Sequence, residues 1–206
     1  MITPREPVLT PVAVEELRPT QITVGMREVE LKRRLIQAQS PAKTSSFLGN
    51  HMVPVVLGPK KRNYVVDHHH LARALLEEGI KNVLVSVTSD LSRLDRDSFL
   101  TVLDNRGWMH PFDENGKRRG YDALPKSMAD LVDDPYRSMA GELRRLGGFA
   151  KDTTPFSEFL WADFLRRRIA RDVVVKNFDK AMKEALAFAK SRDTDYLPGW
   201  CGPTTD

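Results

Sequence analysis

The sequence predicts an α/β (α+β) fold, a small mixed sheet with flanking helices followed by a helical C-terminal half. Three observations lead there. Short β-rich runs occur near 52–57, 63–66 and 82–87, and helical periodicity interleaves them. Helix-opening signals then recur at Asp134-Pro135, Thr154-Pro155 and Asn177. The chain of 206 residues, 41% of them hydrophobic, is long enough to bury one sizeable core without disulfides or metals.

The elements follow in order. Residues 1–16 carry Pro4, Pro7 and Pro11 without a helical period and read as an arm or short edge strand. Leu17-Arg18-Pro19-Thr20-Gln21 reads as a strand end and turn, followed by a helix over about 25–39 with Met26, Val29, Leu35 and Ile36 inward. Residues 40–46 read as a small-polar loop. The runs 52–57 and 63–66 flank Gly58-Pro59-Lys60-Lys61-Arg62, a turn of hairpin length, so they pair antiparallel. Asp67 is the expected N-cap of the next helix, Leu71, Ala74, Leu75 and Ile80 its inward stripe, and Gly79 its stop. The continuous apolar run 82–87 predicts a third, central strand covered by helices.

Residues 91–106 are weakly helical, and 107–125 are polar with a turn at Asp113-Glu114-Asn115-Gly116-Lys117. Helices are expected from Asp134 to Gly147-Gly148, over 156–171, and from Asn177 to Lys190, with Trp200 pinning the tail to the body. The organisation expected is an arm (1–16), an α/β domain (17–106) and a helical extension packed on it (107–206).

Thirty-two Lys plus Arg against 28 Asp plus Glu give a net charge of +4, compatible with anionic ligands but too small for a DNA-coating surface. Cys201 is the single cysteine, and no run of roughly 18 apolar residues suggests membrane insertion, so a reducing cytoplasm and no membrane partner are expected.

The strongest chemical signal is Asp67-His68-His69-His70. A strand leading into a helix N-terminus gathers free N–H groups, the positive end of the helix dipole and side chains at the sheet's edge. Imidazoles there can contact phosphate oxygens or transfer a proton near neutral pH, and Asp67 can hold magnesium or orient a nucleophile. Successive helical residues fan about 100° apart, so one ion cannot take all three histidines; Asp67 with His70, helped by His51, is the easy chelate.

The run Val53-Pro54-Val55-Val56-Leu57, then Tyr64-Val65-Val66-Asp67-His68-His69-His70-Leu71-Ala72-Arg73-Ala74 and Gly79-Ile80-Lys81-Asn82-Val83, resembles the core of ParB/sulfiredoxin-like domains, with the 17–21 segment similar to their first motif. Asp133-Asp134-Pro135-Tyr136-Arg137-Ser138 and Glu158-Phe159-Leu160-Trp161-Ala162-Asp163-Phe164 resemble the ParB-like nuclease branch. The resemblance implies a nucleotide-phosphate site (ATP or CTP, with magnesium) and nucleic-acid or nucleotide partners, with a homodimer compatible. The resemblance gives a site but not a reaction; the residue chemistry then makes Asp67, His69 and His70 the expected catalytic residues and Asp67 the expected metal ligand, with Thr20, Gln21, His68 and Arg73 expected on the nucleotide and Arg27 and Lys32 of the first helix adding charge. His69 stands where sulfiredoxins carry their cysteine, and His68-His69-His70-Leu71 replaces the arginine-bearing CTP motif of partitioning ParB proteins. Gln21 stands where free-serine kinases of the superfamily have a catalytic glutamate, and glutamine cannot act as a base.

The function expected is therefore phosphate-ester or nucleotide handling, as a nuclease or nucleotide hydrolase acting at Asp67 to His70. The alternatives are a non-catalytic nucleotide-dependent module binding DNA or protein, and a small-molecule kinase. Arg144-Arg145 and Arg166-Arg167-Arg168 read as solvated helix ends, the 156–164 aromatics as core, and Glu158 with Asp163 as a weak carboxylate pair.

Overall fold

The computed structural model describes residues 9–39 and 51–203. The loop expected at 40–46 lies outside them. A five-stranded mixed sheet in the order β1-β6-β4-β5-β2 is built from β1 (Leu9–Ala13), β2 (Arg18–Pro19), β4 (Val53–Gly58), β5 (Arg62–Val65) and β6 (Asn82–Asp90). The β4–β5 hairpin is antiparallel, with Val55 opposite Val65. β1 runs antiparallel to β6, whereas β6 with β4, and β2 with β5, are parallel. The segment read as an arm thus contributes an edge strand. A parallel pair, β3 (Thr23–Val24) with β7 (Val132–Asp133), joins the start of the first helix to the C-terminal half.

Among the described residues there are seven α-helices: α1 (Met26–Gln37), α2 (His69–Glu77), α3 (Arg96–Asn105), α4 (Pro135–Arg145), α5 (Ser157–Arg166), α6 (Arg171–Lys176) and α7 (Phe178–Ala189). Val29 and Ile36 of α1 and Leu71, Ala74 and Leu75 of α2 enter one core with Val53, Val55, Val65, Val83 and Val85 of the sheet. A second core joins α4 to α7 around Trp161, Met139 and Leu143. A third packs Phe99, Leu100 and Leu103 of α3 on Val56. Gly79, at φ 67, ends α2 as expected: its N–H bonds Leu76 O while the N–H of Ile80 bonds Leu75 O. Trp161 donates to Pro198 O, and Trp200 packs on the same helical core, so the tail is pinned as read.

Four expectations need correction. Leu35 is 47% exposed, because it lies about 100° around α1 from the buried Ile36. β6 is interior, between β1 and β4, but is not covered along its whole length: Val83 and Val85 are buried, whereas Val87 on the same face is 39% exposed. The helix expected over 156–171 ends at Arg166, and a separate short helix that the sequence did not announce, α6, starts at Arg171. Ala170 between them is extended (φ −64, ψ 140), and the preceding carbonyl, of buried Ile169, is taken by the Tyr136 hydroxyl at 2.7 Å. Asp67 is not the N-cap of α2. His68 holds that position in the left-handed conformation (φ 65, ψ 27), and Asp67 Oδ1 accepts the His68 N–H at 2.6 Å.

Candidate functional site at the start of the second helix

The chain must turn sharply from β5 into α2, and His68 makes the turn at a cost of about 1–2 kcal/mol for a side-chain-bearing residue. The turn sends the three imidazoles in different directions. His69 is 3% exposed, and its Nε2 accepts the Thr20 N–H at 3.2 Å; the Thr20 hydroxyl donates to Val65 O at 2.7 Å. His70 Nε2 accepts the Gly25 N–H at 3.0 Å. A backbone N–H can only donate, so in both rings the proton sits on Nδ1 and Nε2 is occupied. Glu28 also approaches His70 Nε2 to 3.3 Å, but with that nitrogen accepting from Gly25 the two share no proton. Burial lowers both pKa values to about 3, helped by neighbouring His70 and His68 for His69 and by Arg137 for His70. His68 differs. Its side chain is exposed, and Nδ1 lies 3.1 Å from Met52 O. A carbonyl only accepts, so Nδ1 carries the proton, and Nε2 has no partner among the described residues.

Beside the histidines lies an ion-pair network that the sequence did not single out. Glu28 of α1 is 8% exposed and meets Arg137 at 3.1 Å and Arg145 at 2.6 Å. Burial pushes its carboxyl up, but Arg137, His70 and Arg145 outweigh this and hold it at about 2. Arg137, 5% exposed, reaches on to Glu158 at 2.6 Å, and Glu158 meets Arg144 at 2.9 Å. Gly141 makes room for the network: a Cβ there would stand 2.2 Å from Glu28 Oε1.

The histidines and the network border one cleft of about 660 Å³, within the usual range of ligand pockets. Lys32, Arg137, Arg144, Arg145 and Lys151 bring five cations to its lining, and Glu28, Asp67, Asp152 and Glu158 bring four carboxylates. Glu28 and Glu158 are already engaged by arginines, whereas Lys32 and Lys151 have no carboxylate partner among the described residues. Phe156, which begins α5, and Phe159 complete the wall. Phe156 is also left-handed, at φ 57, a strain of order 1–3 kcal/mol in a bulky residue.

Of the residues expected to form the site, Asp67, His68, His69, His70, Gln21, Lys32 and the suggested helper His51 line the cleft. Gln21 is 4% exposed and donates to Thr23 O at 2.6 Å, and Thr20 sits behind His69. Arg27 and Arg73 lie elsewhere. Arg27 stacks on Phe178, 3.8 Å from the ring centroid, in a separate groove, and Arg73 bonds Glu77 and the carbonyls of Met128 and Ala129. Among the described residues no group of three His, Cys, Asp or Glu is arranged to hold a metal, and the His70 nitrogen needed for the Asp67 chelate is taken by Gly25. The sequence reading missed Glu28, Arg137 and Lys151, and Arg144, Glu158 and Phe156 had been read more blandly. One signal was available: Glu28 and Lys32 share a face of the first helix at i,i+4.

Residues 10–167 match the model of the family described as "Putative ParB-like nuclease", and the chain belongs to that family. The crystal structure of protein Atu1540 from Agrobacterium tumefaciens is 52% identical, with a TM-score of 0.90, covering 96% of this chain and 100% of that one. The C-terminally truncated chromosome-partitioning protein ParB from Caulobacter crescentus, complexed with CTP-gamma-S, aligns at 13% identity and a TM-score of 0.31, over 92% of this chain and 96% of that one. A comparison with curated proteins returned no match. Among the described residues no helix is long and apolar enough to cross a membrane.

Proposed function

We propose that this cleft binds the phosphate of a nucleotide or nucleic acid and that the protein cleaves a phosphate ester there, as a nuclease or nucleotide hydrolase. One observation carries the reading: His68 lines the cleft with its Nδ1 held by Met52 O and its Nε2 without a partner among the described residues. Lys32, Arg144 and Lys151 share that lining. An imidazole fixed through one nitrogen is a general base at neutral pH. In the proposed step His68 Nε2 takes a proton from a water, the water oxygen attacks phosphorus, and the leaving alkoxide takes a proton from solvent. The charge on the phosphoryl oxygens is offset by the cations and by the first-turn N–H groups of α2.

His68 thus takes the proton-transfer role first expected of His69 and His70, which act as struts binding β2 and α1 to α2. Asp67 orients the turn through the His68 N–H and has its second oxygen for a cation carried in on the substrate. Release of phosphate from nucleotides and cleavage of single- and double-stranded oligonucleotides test the reading. Turnover that falls about 10²-fold or more in His68→Ala supports it; turnover unchanged in that variant sinks it.

A second reading is the nucleotide-dependent binding module. It is favoured by the commitment of Glu28, His69 and His70 to internal partners. Tight nucleotide binding without turnover on any substrate selects it.

A further inference from the structure

We propose that Phe156 is a stacking residue and that the cleft takes a nucleoside phosphate with its planar base against that ring. This rests on the phosphate-cleft reading and adds the chemistry of the rest of the ligand.

Phe156 lines the cleft but belongs to none of the three buried hydrophobic clusters among the described residues. Its left-handed backbone is one that glycine adopts freely and an aromatic residue does not. The strain is therefore not matched by membership of the core, and such strain collects where a side chain serves a ligand. The ring is also backed. His110 lies 5.0 Å from it between centroids, and is itself stacked on Phe112 at 4.4 Å and packed at a tilt on Phe159 at 3.9 Å. The His110 N–H bonds Thr20 O, which ties this aromatic stack to the segment that holds His69. A ring held in place on one side and facing a cleft is a platform for any base, since every base offers a π-face. Pro155 and Leu71 add apolar surface to the lining, Lys32 and Arg144 supply the phosphate partners, and the volume of about 660 Å³ suits one nucleotide.

Calorimetric titration of the intact chain with ribose 5-phosphate, AMP and a single-stranded tetranucleotide tests this. The last two separate a free nucleotide from a strand as the source of the base. The expected result is that AMP or the tetranucleotide binds about tenfold tighter than ribose 5-phosphate. Phe156→Leu should abolish that gain while leaving ribose 5-phosphate binding unchanged. In Phe156→Trp the gain should persist, and the new indole should be quenched by AMP but not by ribose 5-phosphate. Equal affinities for the three ligands, a gain that survives Phe156→Leu, or no selective quenching in Phe156→Trp each overturn the stacking role alone. Failure of all three ligands to bind the wild type overturns the phosphate-cleft reading and the stacking with it.

Discussion

Adjacent imidazoles of one residue type do three different things here, and the hydrogen-bond partner of each ring decides which. His70 is an acceptor for Gly25, so His70→Ala leaves a buried N–H without a partner and should cost about 1–3 kcal/mol in urea unfolding. His68→Ala loses one exposed contact and should leave the unfolding midpoint nearly unchanged while reducing turnover. Equal destabilisation by the two would contradict the assignment. Protonation adds a second handle. His69, His70 and His110 have native pKa values lowered to about 3 from 6.5, in each case first by burial. Between those values the unfolded chain binds more protons, so stability is full above 6.5 and is lost as pH falls toward 3. Glu28, lowered from 4.5 to about 2, adds a loss only below 4.5. The decline from pH 6.5 to 4.5 therefore belongs to the histidines. Replacing His110 by Phe, which keeps the aromatic stack, should flatten that decline by about 1.4 kcal/mol per pH unit, read from urea midpoints across the range.

At the scale of elements, the contact of α1 with α4 turns on one missing side chain. Gly→Ala inside a helix is ordinarily stabilising by roughly 0.5–1 kcal/mol. At Gly141 the sign should reverse, because the added methyl meets a Glu28 carboxylate that Arg137 and Arg145 hold in place. Gly141→Ala should lower stability by about 1–3 kcal/mol and weaken ligand binding, checked by thermal unfolding and titration on the same preparation. A stabilised variant would show that the network yields easily. These elements were legible in the sequence to unequal degrees. The hairpin, α1, α2, the Asp134-Pro135 opening and the Asn177 opening could be read because local signals and tertiary packing agree there: Asp134 caps Tyr136 and Asn177 caps Lys180. The break before α6 and the left-handed starts of α2 and α5 could not, since neither His68 nor Phe156 advertises a positive φ. The site was half visible for the same reason. The histidine cluster is contiguous, whereas Glu28, Arg137 and Glu158 meet only through the packing of α1, α4 and α5, across 109 and 21 residues of chain.

Over the whole molecule, a net charge of +4 conceals a local arrangement in which the cations around one cleft matter more than the total. Binding of a phosphorylated ligand should weaken as salt rises, and less steeply in Lys32→Ala or Arg144→Ala than in wild type, because each phosphate contact contributes its share of the salt slope. Slopes unaffected by both substitutions would place the anion elsewhere. The β3–β7 pair and the contact of α1 with α4 bring residues of both halves of the chain to this cleft, consistent with a family match that runs from 10 to 167. The most direct measurement is a crystal structure of the protein soaked with a nucleoside phosphorothioate, whose sulfur can be located by anomalous scattering. The thiophosphate is expected at the first-turn N–H groups of α2, within hydrogen-bonding distance of Lys32 or Arg144 and facing His68 Nε2. A thiophosphate bound outside the cleft, with the start of α2 untouched, would contradict the phosphate-cleft reading.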